Sequence, residues 1–301
     1  MKKLFTMFLL LILSIHPLRS QWFEQTSGTT VDLYTIFFTD SNTGFVAGSY
    51  SNILKTIDGG NNWSTINTGS GAWYSSYFLN NNTGFVGGTS LKRTTSSGNN
   101  WTTINTLHPI DDIFFVNSQT GFFVNNSSIY KTTDEGISWA QTANLSININ
   151  LNAIYFTDAL TGFVCGRLIQ SIYVWGKIWK TTDGGYSWAE KLSIQNNLGI
   201  EYEAIDFSDN NLGYCAGYNS GSSTNSLVRT DNGGDSWYIV NSPSHSINHI
   251  AAFTMDTVYV SCDDGLFKTN NAGIEWTKQV SGIPTTLLFK MFFLNSSSFI
   301  I

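Results

Sequence analysis

A polar side chain recurs six times in this chain, each time two residues before a glycine and five before a tryptophan; the first copy is KTIDGGNNW at 55–63. Such an acid could ligate a metal, act in catalysis, or accept backbone N–H bonds in a tight turn. Six copies favour the turn, because no reaction needs one acid six times, and Ser96 and Asn271 replace it. The glycine supplies the positive φ of the turn. The predicted structural turn residues are Asp58, Gly60 and Trp63; Ser96, Gly98 and Trp101; Asp134, Gly136 and Trp139; Asp183, Gly185 and Trp188; Asn232, Gly234 and Trp237; and Asn271, Gly273 and Trp276.

The other reactive side chains form no recognised catalytic or metal pattern. His108, His245 and His249 are not spaced as metal ligands. The three cysteines are widely separated, so buried free thiols are expected, with one disulfide as the open alternative. No nucleophile elbow, zinc-protease helix, phosphate loop or dinucleotide loop is present. We therefore expect no metal and no cofactor.

The repeat itself predicts the elements that carry these residues. Its tryptophans are 38, 38, 49, 49 and 39 residues apart, a period typical of one supersecondary unit per repeat. Before each turn stands a hairpin pattern such as FFTDSNTGFVAG at 37–48, so each repeat contains four short strands, A to D. This predicts an all-β propeller of four-stranded antiparallel blades, with six complete repeats and a partial one. The A strands are expected to end near 38, 78, 115, 156, 207, 253 and 293.

The turns resemble Asp-boxes, also called BNR repeats. Together with the hairpin pattern they are most similar to the photosystem II assembly/stability-factor-like propeller family, over residues 22–301. The resemblance is specific for the fold and says little about function. It implies, for plant and cyanobacterial members, an assembly role linked with a basic patch, which this acidic chain is not expected to form.

The first twenty residues predict a signal peptide followed by a propeller domain at 21–301. Lys2 and Lys3 precede an apolar run at 4–15, and Ser20 is a small residue at the expected cleavage site; an uncleaved anchor is the alternative. Removing this segment changes the net charge from −6 to −9, because it carries three basic residues and no acid. We expect an exported protein (extracellular, cell-surface or periplasmic) with no later membrane span and no affinity for nucleic acid.

The register of the repeats also predicts how the ring closes. Trp22 precedes Phe38 by sixteen residues, much as Trp63 precedes Phe78 by fifteen, so a D strand is expected at the N-terminus. Residues 292–301 match an A strand and the start of a B strand. Pairing of these two ends would give seven blades, with further residues expected beyond 301. Six blades and a frayed end are the alternative.

Two sets of residues are candidates for binding. A–B and C–D turns share one face, and B–C turns and D–A connections share the other, where the fourth and fifth repeats carry long insertions at 167–176 and 218–225. Loops that lengthen on a rigid scaffold are typical binding sites. The D–A connection after Trp188, which ends in Glu201-Tyr202-Glu203, is the longest of its kind and lies on the same face. The candidates on this face are Arg167, Tyr173, Trp175, Lys177, Tyr202 and Glu203.

The second set is a ring four residues before each A-strand aromatic, at the mouth of the channel. Solvated strand ends are the alternative interpretation. Its members are Tyr34, Tyr74, Asp111, Asn152, Glu203, His249 and Phe289, of which Tyr34, Tyr74, Asp111, Glu203 and His249 are the binding candidates.

Two function classes remain. A sialidase is disfavoured. That resemblance implies three arginines around the substrate carboxylate, whereas the arginines here are Arg19, Arg93, Arg167 and Arg229, and two of these occupy turn positions. A glycoside hydrolase with a carboxylate pair drawn from Asp111, Asp112, Glu201 and Glu203 stays open. The favoured hypothesis is a non-catalytic, monomeric binding or assembly scaffold for a partner protein or a surface glycan.

Overall fold

The computed structural model describes residues 25–67, 71–105, 109–196, 199–219, 227–244, 246–280, 290–295 and 298–300. This part of the chain is an all-β propeller whose only helical element is one 3₁₀ turn, Ser49–Ser51. None of its helices is long and apolar enough to cross a membrane. Residues 1–24, which include the predicted signal peptide, and the predicted ring residue Phe289 lie outside the described residues.

Six sheets of four antiparallel strands form the blades, and the strands of each sheet pair in chain order. Blade 1 is β1 (Leu33–Phe38), β2 (Gly44–Gly48), β3 (Asn52–Thr56) and β4 (Ser64–Asn67); blade 2 is β5 (Trp73–Phe78), β6 (Gly84–Gly88), β7 (Leu91–Thr94) and β8 (Thr102–Asn105); blade 3 is β9 (Asp112–Phe115), β10 (Gly121–Asn125), β11 (Ser128–Thr132) and β12 (Ala140–Asn144). Blade 4 is β13 (Ile149–Phe156), β14 (Gly162–Gln170), β15 (Tyr173–Thr181) and β16 (Ala189–Asn196); blade 5 is β17 (Ile200–Phe207), β18 (Gly213–Asn219), β19 (Leu227–Thr230) and β20 (Tyr238–Ile239); blade 6 is β21 (Ile247–Ala252), β22 (Val258–Cys262), β23 (Gly265–Thr269) and β24 (Thr277–Gln279).

A two-stranded sheet, β25 (Phe292–Asn295) and β26 (Ser298–Ile300), follows the sixth blade. The ring of Phe292 lies 5.0 Å from that of Phe37 and 6.1 Å from that of Phe38, measured between centroids, so the last sheet meets the first blade. Closure by a complete seventh blade stays a prediction.

The core lies between the blades. In blades 1 to 4 the second residue of the B strand is a phenylalanine that stacks on the last A-strand phenylalanine of the next blade, as in Phe45–Phe78 (4.0 Å), Phe122–Phe156 (4.0 Å) and Phe163–Phe207 (4.3 Å). The D-strand tryptophan then meets these rings edge-on, a favoured aromatic geometry. The three cysteines are buried free thiols in the same layers.

The C–D turns are held by one repeated network. In blade 3, Thr132 Oγ1 accepts the Gly136 N–H (3.0 Å) and donates to Asp134 Oδ1 (2.7 Å), which also accepts the Ser138 N–H (2.9 Å). These hydrogen bonds, with that of the Ser138 hydroxyl as the largest cause, lower the pKa of Asp134 to about 2. The threonine–glycine bond is present in all six turns. The oxygens of the turn acid are thus engaged in local hydrogen bonds.

The predicted loop of the fourth repeat has a different form. Residues 167–176 extend strands β14 and β15 into a long hairpin, with Arg167 opposite Gly176 and Leu168 opposite Trp175. Apolar residues on both arms allow these cross-strand pairs, which stabilise a sheet better than a free loop. The prediction of a loop at this insertion is therefore wrong. Of the second predicted insertion, residues 220–225 lie outside the described part.

Candidate functional site

A β-bulge interrupts the pairing of the first two strands in five of the six blades. A bulge places one extra residue in a strand and redirects its side chain. The residues that it leaves without a cross-strand partner are Tyr34, Tyr74, Asn152, Glu203 and Asn248. In blade 3 the equivalent residue is Asp111, immediately before β9. Every blade thus presents one irregular position at the same level.

These positions surround a cavity of about 580 Å³, a size typical of ligand sites. Consecutive pairs such as Glu203 and Ala204 both face it, as expected where a bulge breaks the alternation of side chains. Asp111 and Asp112 do the same in blade 3, at the start of its first strand. All six blades and the segment after the sixth contribute. The wall consists of Tyr34, Tyr74, Asp111, Asp112, Asn152, Ala153, Glu201, Glu203, Ala204, Ile205, Tyr218, Ser246, Asn248, His249, Asp263 and Lys290.

The predicted register of blade 6 is wrong by one residue. Its A strand ends at Ala252, which pairs with Val258 as Phe38 pairs with Gly44 in blade 1. The aromatic Phe253, used as the reference, lies one residue past that end. The bulge residue is therefore Asn248, although His249 still lines the cavity.

An aromatic layer lies three residues further along the inner strands. Phe37, Tyr77, Phe114 and Tyr155 form successive ring contacts of 5.2, 6.0 and 5.0 Å between centroids. The Tyr77 and Tyr155 hydroxyls donate to backbone carbonyls of the next blade. These contacts fix the inner strands to one another, so the bulges stand on a rigid support.

Blade 5 places a carboxylate, Asp206, at the corresponding position of this layer. Asp206 accepts the Ala252 N–H of blade 6 at 2.7 Å. Burial raises the pKa of Asp206 to about 7, against the effect of this bond. The acid therefore joins two blades and does not line the cavity.

Two of the cavity carboxylates are well bound. Asp112 accepts hydrogen bonds from Ser75 Oγ (2.9 Å) and the Ile154 N–H (3.1 Å), and its Oδ1 lies 3.8 Å from Lys290 Nζ. Glu201 pairs with the guanidinium of Arg167 and accepts a bond from Asn152 Nδ2 at 3.1 Å. Both acids link neighbouring blades, which is a structural role.

Asp111 and Glu203 are held differently. Burial, followed by the nearby Asp112 and Glu201, raises the pKa of Asp111 to about 7 against one backbone bond from Asn126. Burial, followed by Glu201, raises the pKa of Glu203 to about 8, and within the described residues Glu203 has no hydrogen bond or ion pair. Raised carboxyl pKa values in a cavity are typical of functional groups.

His249 is another titratable residue of the cavity wall. Burial, with Lys290 as the second cause, lowers its pKa to about 3, so the ring is neutral near pH 7. Its Nδ1 is buried and has no hydrogen-bond partner among the described residues. Within the same part of the chain, no group of three or more histidine, cysteine or acidic residues is arranged to hold a metal ion.

The ten predicted binding residues thus fall into two groups. Tyr34, Tyr74, Asp111, Glu203 and His249 line the one cavity. The other five are Arg167, Tyr173, Trp175, Lys177 and Tyr202, and none of them is part of its wall.

Packing explains why that second group lies elsewhere. Tyr202 is fully buried between blades 4 and 5, and Arg167 is engaged by Glu201. Lys177 is 7% exposed, donates to Glu190 at 2.8 Å and lies 5.6 Å from the centre of the Trp175 ring. Only Tyr173, which is 40% exposed, stands open to solvent.

Sequence reasoning missed three cavity residues that lie outside the A strands, Ser246, Asp263 and Lys290, and it placed Tyr218 only within the insertion at 218–225. Asp263 could have been predicted, because the Asp263–Asp264–Gly265 sequence marks the B–C turn of blade 6 on the same face. Lys290 could not be identified as a cavity residue from the sequence, because the residues around it match the repeat pattern only in part.

A sequence model of the photosynthesis system II assembly factor YCF48 family matches residues 16–144 and 140–288. The chain belongs to this family. The propeller resembles the structure of YCF48 bound to D1 peptide, with a TM-score of 0.68, 17% identity, and coverage of 91% of this chain and 93% of that one. YCF48 from Cyanidioschyzon merolae matches equally, at 0.68 and 17%, over 91% and 92% of the two chains.

A hydrolase shares the fold as well. The GH74 xyloglucanase from Xanthomonas campestris matches with a TM-score of 0.66 and 13% identity, over 84% of this chain but only 47% of that one. At such identities the likeness shows the shared fold alone. No curated protein matches the sequence. The predicted resemblance and the propeller fold are both confirmed.

Proposed function

We propose that this chain is a non-catalytic assembly scaffold that receives a segment of a partner protein in the cavity at the channel mouth. The observation that carries the proposal is the cavity itself, to which every blade contributes a bulged or equivalent residue. A rigid ring that converges on one concave site is suited to binding. Family membership supports an assembly role, and a related structure holds a peptide.

The surface that would contact the partner, the cavity wall of this chain, has an aromatic side and an acidic side. Tyr34 and Tyr74 pack at 5.7 Å between ring centroids, and Ser49 Oγ donates to the Tyr34 hydroxyl at 3.0 Å. Aromatic side chains on a fixed support supply contact area at low entropic cost. A surface glycan could use the same ring faces, but a protein segment is favoured by the family.

The proposal includes export, supported by the basic, apolar and small-residue order of residues 1–20. Monomeric state is part of it too. Intact mass measurement of the secreted fraction tests export, since cleavage after Ser20 leaves Gln21 at the N-terminus.

A peptide selection tests the binding role. A displayed library of random twelve-residue peptides is panned on the protein, and the affinity of enriched peptides is measured by fluorescence polarisation. Tyr74→Ala should weaken binding about tenfold, because it removes a cavity wall. Tyr186→Ala is the matched control: this tyrosine is 63% exposed on the opposite face and should leave affinity unchanged. No enrichment, or equal loss in both variants, would contradict the proposal.

A glycoside hydrolase is the second candidate, because Asp111 and Glu203 share a cavity and have pKa values near 7 and 8, the protonated state that a general acid needs. Incubation with xyloglucan and β-glucans tests it. Release of reducing sugar that disappears in both Asp111→Asn and Glu203→Gln would replace the scaffold proposal with an enzyme.

A further inference from the structure

The cavity has an unbalanced set of charged groups. The titratable residues that face it are the carboxyls of Asp111, Asp112, Glu201, Glu203 and Asp263, together with His249, Lys290 and three tyrosines. Arg167 lies behind Glu201 and neutralises it, and Lys290 lies 3.8 Å from Asp112. Asp263 accepts a hydrogen bond from Asn248 Nδ2 at 3.2 Å. Three carboxyls, those of Asp111, Glu203 and Asp263, are left without any ion pair in the described part of the chain, and burial raises the pKa of the first two.

The second observation comes from a different kind of group. The buried Nδ1 of His249 has no hydrogen-bond partner among the described residues, although it belongs to the cavity wall. Ten other buried side-chain atoms of the described residues also lack a partner, but among these residues His249 alone belongs to the cavity wall, where an incoming group could supply the partner. A neutral imidazole nitrogen can accept a bond, as carboxylates do. The missing partner is a donor when the imidazole carries its proton on Nε2.

The aromatic wall suits the rest of such a ligand. Tyr34 and Tyr74 stand on blades 1 and 2, which contribute no acid to the wall. Ring faces bind both the methylene stem and the charge of a lysine or arginine side chain. An anionic or neutral group would leave the excess negative charge of the cavity unmatched.

We propose that the cavity binds the cationic end of a side chain, an ammonium or guanidinium group, that a partner protein inserts between Glu203, Asp111 and His249. This inference rests on the proposed function and names its ligand class. The cation donates to the two carboxylates and to the imidazole, and its stem packs along the two tyrosines.

Binding of this kind releases protons. In the free protein Asp111 and Glu203 have raised pKa values, so both are partly protonated at pH 7. A neighbouring cation favours the charged carboxylate and lowers these values. Protons therefore leave on binding, and affinity rises with pH from 6 to 8, where the carboxyls ionise without help. The histidine stays neutral throughout this range.

The experiment uses a synthetic decapeptide of alternating glycine and lysine, and the same peptide with every lysine acetylated. Isothermal titration in buffers of different ionisation enthalpy gives the dissociation constant and the number of protons released. We expect the lysine peptide to bind at least tenfold more tightly than the acetylated one, with proton release at pH 7. Equal affinity for both peptides would overturn the inference.

A pair of double variants separates the cavity from general surface charge. Asp111→Asn with Glu203→Gln should weaken the lysine peptide about tenfold and abolish proton release. Glu135→Gln with Glu275→Gln removes the same charge from exposed C–D turns and should change neither quantity. Equal effects of the two double variants would mean non-specific attraction and would contradict the site. Circular dichroism confirms that both fold.

Two further outcomes are decisive. The peptide selection could yield peptides whose binding depends on Tyr74 but is equally tight to the Asp111→Asn/Glu203→Gln variant. This result would support the proposed function and contradict the inference of a cationic ligand. Spermidine serves as a competitor. Displacement of the peptide at equal amine concentration would assign the site to free polyamines and overturn the partner-protein source.

Discussion

The two faces of this propeller use the same backbone repeat in opposite ways. On the face of the C–D turns, the threonine–glycine hydrogen bond recurs in all six blades with nearly the same side chains. At the channel mouth, the bulge or its equivalent recurs in all six blades with different side chains. These are Tyr34, Tyr74, Asp111, Asn152, Glu203 and Asn248. A repeated position that keeps nearly the same side chains in every blade builds the scaffold. A repeated position whose side chains differ from blade to blade shapes a site.

The two faces also differ in how many hydrogen-bond partners some of their acids have nearby. Asp134 and Asp183 lie in turns whose hydrogen bonds lower their pKa, so the charged form is the stable one. Asp111 and Glu203 lie where burial raises the pKa, so the charged form is disfavoured in the free protein. Natural proteins retain such unfavourable groups mainly at functional positions.

The largest expected effect tests the scaffold face. Gly234 has φ +77°, and a Cβ added there would lie 2.2 Å from the ring of Phe163 in the preceding blade. Gly234→Ala should therefore lower the free energy of unfolding by about 3–4 kcal/mol, because the strained backbone and the overpacked ring add. Chemical denaturation measures the change.

Gly28→Ala is the control for that substitution. Gly28 has a similar φ, +73°, but no atom lies within 4 Å of an added Cβ. Its cost should be about 1 kcal/mol, from the backbone alone. Equal losses at both glycines would show that contact between blades at the turn is unimportant.

The scaffold could be predicted from the sequence because its signals are local and repeated. The threonine, polar turn residue, glycine and tryptophan of each turn lie within eight residues, and the A strands of blades 1 to 5 end at the predicted phenylalanines. Blade 6 was misplaced because Phe253 follows the strand end and Ala252 occupies it. A single non-standard residue thus shifted one blade.

The site could be predicted only in part. The ring at the channel mouth follows from counting along the repeat, so Tyr34, Tyr74, Asp111 and Glu203 were within reach. Contacts between blades could not be predicted, since they join residues that are far apart in the sequence: Glu201 lies 34 positions from Arg167 and 49 from Asn152, both in the preceding blade. The sequence shows Arg167 as an available cation, whereas the structure shows it already paired.

A smaller effect is expected from the hydrogen bonds of one turn. Thr132→Val keeps the shape of this 2%-exposed side chain but leaves the Gly136 N–H without its acceptor. An unsatisfied buried donor costs about 1–3 kcal/mol, so the free energy of unfolding should fall by about 2 kcal/mol. The exposed neighbour Thr133→Val should change it by less than about 0.5 kcal/mol. A similar small change in both would mean that the network adds little.

The smallest effect, with the opposite sign, comes from the channel mouth. A carboxyl whose pKa is raised by folding binds more protons in the folded state, so its stabilising contribution is full below the unfolded pKa near 4 and is lost as pH rises through 7 to 8. Asp111→Asn with Glu203→Gln removes this loss. The variant should equal the parent protein at pH 5 and exceed it at pH 9 by about 1 kcal/mol, a value reduced from the full shift because both groups are partly solvated.

Thermal unfolding followed from pH 5 to 9 measures this difference, with an expected gain of about 2 °C at the alkaline end. Glu135→Gln with Glu275→Gln removes two exposed carboxylates from the scaffold face and should show no such trend. A fall in stability at pH 9 would mean that the charged forms of Asp111 and Glu203 are already stabilised inside the free protein. In that case the acids of both faces would have stabilising partners within the free protein, and the proposal that the channel mouth binds a cation would be contradicted.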